Sequence, residues 1–131
     1  MYEWHGWAPI RTRSDCDDSA DNPTARTVEA VSALLANDGT PNEVAELRSA
    51  NGDHHLWLAG LHNHRASGVV ELFEAVAALA PGSYGILHVL DDEDPSTPNA
   101  WVCHVMRRGH VTAEPDSFLS PHIGLVEDAC D

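Results

Sequence analysis

Apolar and polar residues are most clearly patterned in residues 53–65, D-H-H-L-W-L-A-G-L-H-N-H-R, and the rest of the chain reads as built around this run. It contains no proline and lies between Asn51-Gly52 and Ser67-Gly68. With side chains alternating along a strand, Leu56, Leu58 and Gly60 share one face and Trp57, Ala59 and Leu61 the other. Both faces are apolar in the middle, which predicts a central strand covered on both sides. His54, His55, His62 and His64 emerge at its polar rims.

The remaining elements follow in chain order. Residues 4–12 alternate as a first strand, with Pro9 confining it to an edge or a bulge. Residues 14–22 form a polar loop holding Asp15, Asp17, Asp18 and Asp21. Asn22 is a suitable N-cap and Pro23 a suitable first helical residue. Val28, Val31, Leu34 and Leu35 recur at helical spacing up to Gly39, predicting a helix over 23–38. Residues 43–50 are a weaker strand pattern, but Asn51-Gly52 is the strongest short hairpin signal and joins them to the central run. A second helix is predicted over 68–80: Val69, Leu72, Phe73, Val76 and Leu79 share a face, Ser67 can cap it and Pro81-Gly82 ends it. Strands follow at 84–90 and 101–107, separated by a loop carrying Asp91, Asp92, Glu93 and Asp94. Arg108-Gly109 turns the chain into a short run at 110–113, and the tail from Glu114 has little regular signal.

The order β-α-β-β-α-β-β predicts an α+β fold. A mixed or antiparallel sheet carries two main helices, and a split βαβ arrangement is the leading candidate. At 131 residues the chain is expected to form a single domain spanning 1–131.

Charge narrows the function. The formal net charge is -14, from 21 acidic residues against 7 basic ones, all of them Arg. Such a chain repels phosphates, which argues against nucleic acid or an anionic membrane as partner, and it is steered toward basic surfaces. Cys16, Cys103 and Cys130 are odd in number and widely spaced, offering neither a disulfide framework nor a zinc set. No apolar run approaches the ~18 residues of a membrane span, and no signal peptide is evident, so a cytoplasmic protein is expected.

His62 and His64, two apart on a strand, would point the same way and suit zinc or copper, with His54, His55 or a distant His needed to complete the set. Two ligands make no site, but a small metal-binding protein or metal-dependent enzyme stays open as the alternative. A nuclease built on the His-Asn-His letters fails on motif spacing and on charge. There is no G-x-S-x-G elbow, and Cys103 and His104, adjacent on a strand, point to opposite faces. The run Gly82-Ser83-Tyr84-Gly85 is too short and misplaced for a phosphate loop. Among the tryptophans, Trp57 and Trp101 are expected in the core. Trp4 and Trp7 are core candidates too, with partial exposure as a binding anchor the other option.

The residues themselves then resemble immunity protein family seven of bacterial polymorphic toxin systems. The resemblance is carried by Trp4-His5-Gly6-Trp7 in the opening segment, by His62-Asn63-His64-Arg65 closing the central run, by Gly82 and Tyr84 within A-P-G-S-Y-G, and by Arg107-Arg108-Gly109. Phe118-Leu119-Ser120-Pro121 extends it toward the C-terminus. It covers nearly the whole chain in the right order. It implies an α+β fold, no enzymatic activity, and a partner: a cognate toxin domain that is bound and blocked inside the producing cell. No cofactor is expected, and the toxin is expected to be basic and encoded by the adjacent gene. Residues 14–22 and the tail after Gly124 match no motif and are left as carriers of partner specificity. With charge, the resemblance makes Asp15, Asp17, Asp18 and Asp21, and Asp91, Asp92, Glu93 and Asp94, the candidate toxin contacts, since carboxylates pair with Arg in place of phosphate.

Overall fold

Strand β1 (Tyr2–Pro9) sets the plan of the fold because its two faces meet different surroundings. Tyr2, Trp4 and Ala8 are buried, while His5 and Trp7 are exposed, as alternation requires of a strand with one covered face. The computed structural model describes residues 1–13, 23–37, 43–65 and 68–130. The loop of Asp15, Asp17, Asp18 and Asp21 lies outside the described residues, as do the expected cap residues Asn22, Gly39 and Ser67.

After β1 come α1 (Pro23–Asn37), β2 (Val44–Ala50), β3 (Asp53–His62), α2 (Val69–Leu79), β4 (Tyr84–Asp91), β5 (Trp101–Arg107), β6 (His110–Pro115) and a distorted turn, α3 (His122–Leu125). The fold is α+β, as the pattern predicts. The sheet has six strands in the order β2-β3-β1-β4-β5-β6, and every neighbouring pair is antiparallel. β1 and β2 flank β3, and β3 and β4 flank β1. Each long helix therefore joins two parallel strands with one antiparallel strand between them, so the split βαβ unit occurs twice, interlocked. Asn51 and Gly52 turn β2 into β3 with φ 53 and 81, the paired positive values of a two-residue type I′ hairpin. Arg108 and Gly109, at φ 50 and 80, do the same between β5 and β6.

The core lies between the helices and one sheet face. Val69, Leu72, Phe73, Val76 and Ala77 of α2 and Val31 and Leu35 of α1 cluster with Trp4, Leu56, Leu58, Leu87 and Met106. Each large side chain buried there contributes roughly 1.5–3 kcal/mol. Trp4 faces Gly60 across the β1–β3 ladder. A Cβ on Gly60 would stand 2.1 Å from Cζ2 of the indole, so the ring needs a neighbour with no side chain.

The run 53–65 is not the central strand. β3 ends at His62 and lies one place in from the β2 edge. Its Leu56 and Leu58 are buried, but Trp57 is 44% exposed and Leu61 59%. The two long helices cover only one sheet face, so apolar residues on both faces of β3 do not both find a core. Trp57 is thus not a core residue. β1 occupies the central position instead, and Pro9 does not push it to an edge. Pro9 is its last residue, and the β4 ladder has already ended at Trp7↔Ile86, so the missing N–H breaks no pairing there. The short run at 110–113 is a full edge strand to Pro115, adding a sixth strand to the expected order. Among the described residues no helix is long and apolar enough to cross a membrane.

Candidate functional site

The motif residues divide by role once their neighbours are known. Gly82, before β4, and Gly85, within it, let the chain close on the backbone of the residues after β1 and of β1 itself: added Cβ atoms would meet the Arg13 and Trp7 carbonyl oxygens at 2.0 Å. Between them the buried Ser83 accepts the backbone N–H of Arg11 at 2.8 Å. Gly6 packs against Leu87, whose side-chain methyl would stand 2.8 Å from an added Cβ. These residues hold the fold.

The H-N-H-R segment ties distant parts of the chain together. His62 stacks on Trp4, ring centres 5.2 Å apart and 13° from parallel, and its Nε2 meets Glu43. β3 stops at His62, so His64 does not share its direction. His64 Nδ1 instead lies 2.6 Å from Glu93, and Arg65 Nε 3.8 Å from Asp91. Asn63 is exposed between them. His62 and His64 thus serve separate carboxylates, while His54 and His55 fall on opposite faces of β3. Among the described residues no group of three or more His, Cys, Asp and Glu is placed to hold a metal ion.

The acidic loop after β4 is an ordered structure. Asp91 is its buried end, accepting the Glu93 N–H at 3.1 Å. Asp92 holds the N-terminal ammonium at 2.6 Å, which raises the pKa of that amine. Asp94 accepts the N–H and hydroxyl of Ser96 at 2.9 and 2.7 Å, and these bonds keep its carboxyl below the usual range. The exposed carboxylates of this loop are therefore Asp92 and Glu93. Beside them a cleft of about 490 Å³ opens under α2, lined by Tyr2, Arg65, Glu71, Asp91, Asp94 and His104. Burial raises the Tyr2 hydroxyl pKa and lowers that of His104.

The sheet face away from the helices has a different character. Trp7 and Trp57 are directly opposite each other on it, and Tyr84 meets Trp7 edge-on at 6.4 Å and 87°. The Arg11 guanidinium sits 5.8 Å from the centre of the Tyr84 ring, within cation–π range. Arg107 is across from Tyr84 on β5, and Arg108 is exposed at the turn. Cys103 is half-buried on this face, and burial raises its thiol pKa, which opposes the thiolate a nucleophile needs.

The tail contains order that its pattern did not suggest. Asp116 accepts the N–H groups of Phe118 and Leu119 at 3.1 and 2.8 Å and the Ser120 hydroxyl at 2.9 Å. Desolvation works against the ionised carboxylate, but these bonds outweigh it and lower its pKa. Ser120 in turn receives the Trp101 N–H at 2.9 Å, and His122 receives the Trp101 indole N–H at 3.1 Å. The segment thereby covers Trp101 at one end of the open face and presents Phe118, 84% exposed. An Asp two residues before a backbone donor is an Asx-turn signal, visible at Asp116-Ser117-Phe118.

Searches of curated proteins and of solved structures each give no significant match. The sequence model described as Immunity protein 7 matches residues 1–128, nearly the whole chain. The chain therefore belongs to the immunity protein 7 family, proteins that act against a toxin.

Proposed function

We propose that the chain neutralises a basic toxin domain by occupying its active cleft or an exosite beside it, as a stoichiometric binder and not as a catalyst. The observation that carries this reading is the charge, 21 acidic residues against 7 Arg. A toxin acting on nucleic acid, as nuclease or deaminase, needs a cationic cleft for its substrate, and an acidic protein is drawn to that cleft with on-rate gains of about 10–10³ at low salt. The proposed contacts are Asp15, Asp17, Asp18 and Asp21 together with the loop after β4. In that loop Asp92 and Glu93 present carboxylates to the partner, while Asp91 and Asp94 hold the loop's shape. The toxin is proposed to be the product of the adjacent gene, met in the cytoplasm.

Coexpression tests the biology: the chain restores growth to cells making that toxin domain. Binding measured between ~50 and ~500 mM salt tests the mechanism, because screening weakens an electrostatic complex. Affinity falling steeply across that range is expected, and affinity flat across it contradicts charge masking.

A further inference from the structure

The immunity reading leaves open which surface meets the toxin, and the open sheet face supplies one. Strand register sets Glu46, Trp57, Trp7, Ile86, Val105 and Thr112 in a single row across all six strands. Trp7 is 47% exposed although it lies in a central strand paired on both sides. With Tyr84, edge-on to it, and Trp57, its register partner on β3, it forms an exposed aromatic patch that no described helix covers, and the C-terminal segment stops over Trp101. Large rings fixed side by side on a rigid sheet lose little freedom on binding, and Trp, Tyr and Arg are the residue types that dominate binding energy. A patch of this kind on an otherwise polar surface marks an interaction site.

Charge selects the occupant. A second copy would bring another net charge of -14 against the first, and like-charge approach is disfavoured. A cationic partner gains on both counts, through the field of the whole chain and through the ring faces. Arg11 over Tyr84 already shows a guanidinium seated on this surface, which leaves Trp7 and Trp57 to receive others. We infer that the Trp57–Trp7 row is the docking centre for the toxin domain, its indoles taking Arg or Lys side chains from the toxin's basic surface. The acidic loop forms the rim of the same interface. From Ile86 to Asp91 along β4 is about 17 Å at ~3.4 Å per residue, within reach of a contact of standard size, ~800 Å² per partner.

The test uses the full chain and a catalytically inactivated form of the toxin domain encoded beside it, with affinity measured by calorimetry. Replacing both indoles, Trp7→Ala with Trp57→Ala, is expected to weaken binding by about 30-fold or more, the loss typical of hot-spot residues. Thr112→Lys leaves every ring in place but adds a cation to the row, and a loss of roughly tenfold or more is expected from it. Leu79→Ala, a similarly exposed apolar residue on α2, is expected to leave affinity unchanged within about threefold. Thermal melts establish that each variant is folded. If the parent chain does not bind the toxin, the immunity reading falls and this proposal with it. If the parent binds and both Trp7→Ala/Trp57→Ala and Thr112→Lys bind equally well, only the docking face is overturned. A parent chain that sediments as a dimer, made monomeric by the double substitution, would assign the face to a second copy and overturn the proposal.

Discussion

Trp4 and Trp7 stand three residues apart on β1, and the contrast between them is the contrast between the two faces of the sheet. Trp4 is 1% exposed, stacked on His62 and seated over Gly60 among the α2 side chains. Trp7 has the same chemistry and an equally rigid backbone, yet it faces outward beside Trp57 and Tyr84. The difference comes from what is packed against the sheet: both long helices cross over one face and neither covers the Trp7–Trp57 patch on the other. One face stabilises the fold; the other is the proposed docking face.

The sharpest way to break that division is to exchange the consequences of the two indoles. Trp4→Ala is expected to lower unfolding free energy by about 3–5 kcal/mol in urea titrations, the cost of truncating a fully packed aromatic. Trp7→Ala should change it by no more than about 1 kcal/mol, since little of the core is touched. Equal losses would mean that the open face also carries the fold. Gly60→Ala probes the covered face without removing anything. The methyl group collides with the indole of Trp4, and overpacking of this kind costs about 1–3 kcal/mol, read from the same titrations.

A smaller effect is expected at the edge of the open face. Asp116→Asn removes the ionised acceptor of the 118–120 loop, costing on the order of 1–2 kcal/mol at pH 7. The folded-state pKa of Asp116 lies below its usual value of 3.8. Its contribution is therefore present above about pH 4 and lost as pH falls through the lowered value. Melting curves from pH 7 to 3 should show the parent losing this increment and Asp116→Asn having none to lose. The smallest effect on folding belongs to the acidic loop. Asp92→Asn with Glu93→Gln should leave stability almost untouched, because exposed ion pairs contribute little. The same pair should slow association with the toxin severalfold at low salt while dissociation hardly changes. Stopped-flow traces with unchanged association would remove the loop from the steering surface.

Much of the scaffold is written locally in the sequence. The apolar spacing of α2 and the Asn51-Gly52 turn depend on near neighbours, and both stand where the pattern put them. What depends on long-range assembly was less legible. Leu56 and Trp57 look alike as large apolar residues on one strand, and only the placement of both helices on one side decides which is buried. Pro9 carried an edge signal that lost its force because the β4 ladder ends before it. The His62-Asn63-His64-Arg65 run suggested convergent ligands, but its partners, Glu43, Glu93 and Asp91, come from other elements and draw the side chains apart. The loop after β4 offers four acidic residues as equivalent candidate contacts, and the burial of Asp91 becomes visible only with the neighbouring Tyr2 strand in place.

The division of the sheet into a folding face and a binding face can be tested in one experiment. With the chain's four tryptophans labelled as 5-fluorotryptophan, fluorine NMR distinguishes rings in contact with water by their solvent-isotope shift. In the free chain Trp7 and Trp57 should show that shift, and Trp4 and Trp101 should not. On adding unlabelled toxin domain, the account predicts that Trp7 and Trp57 move and lose the shift while Trp4 stays where it was. A saturated complex in which Trp7 and Trp57 remain as water-exposed as before would contradict it.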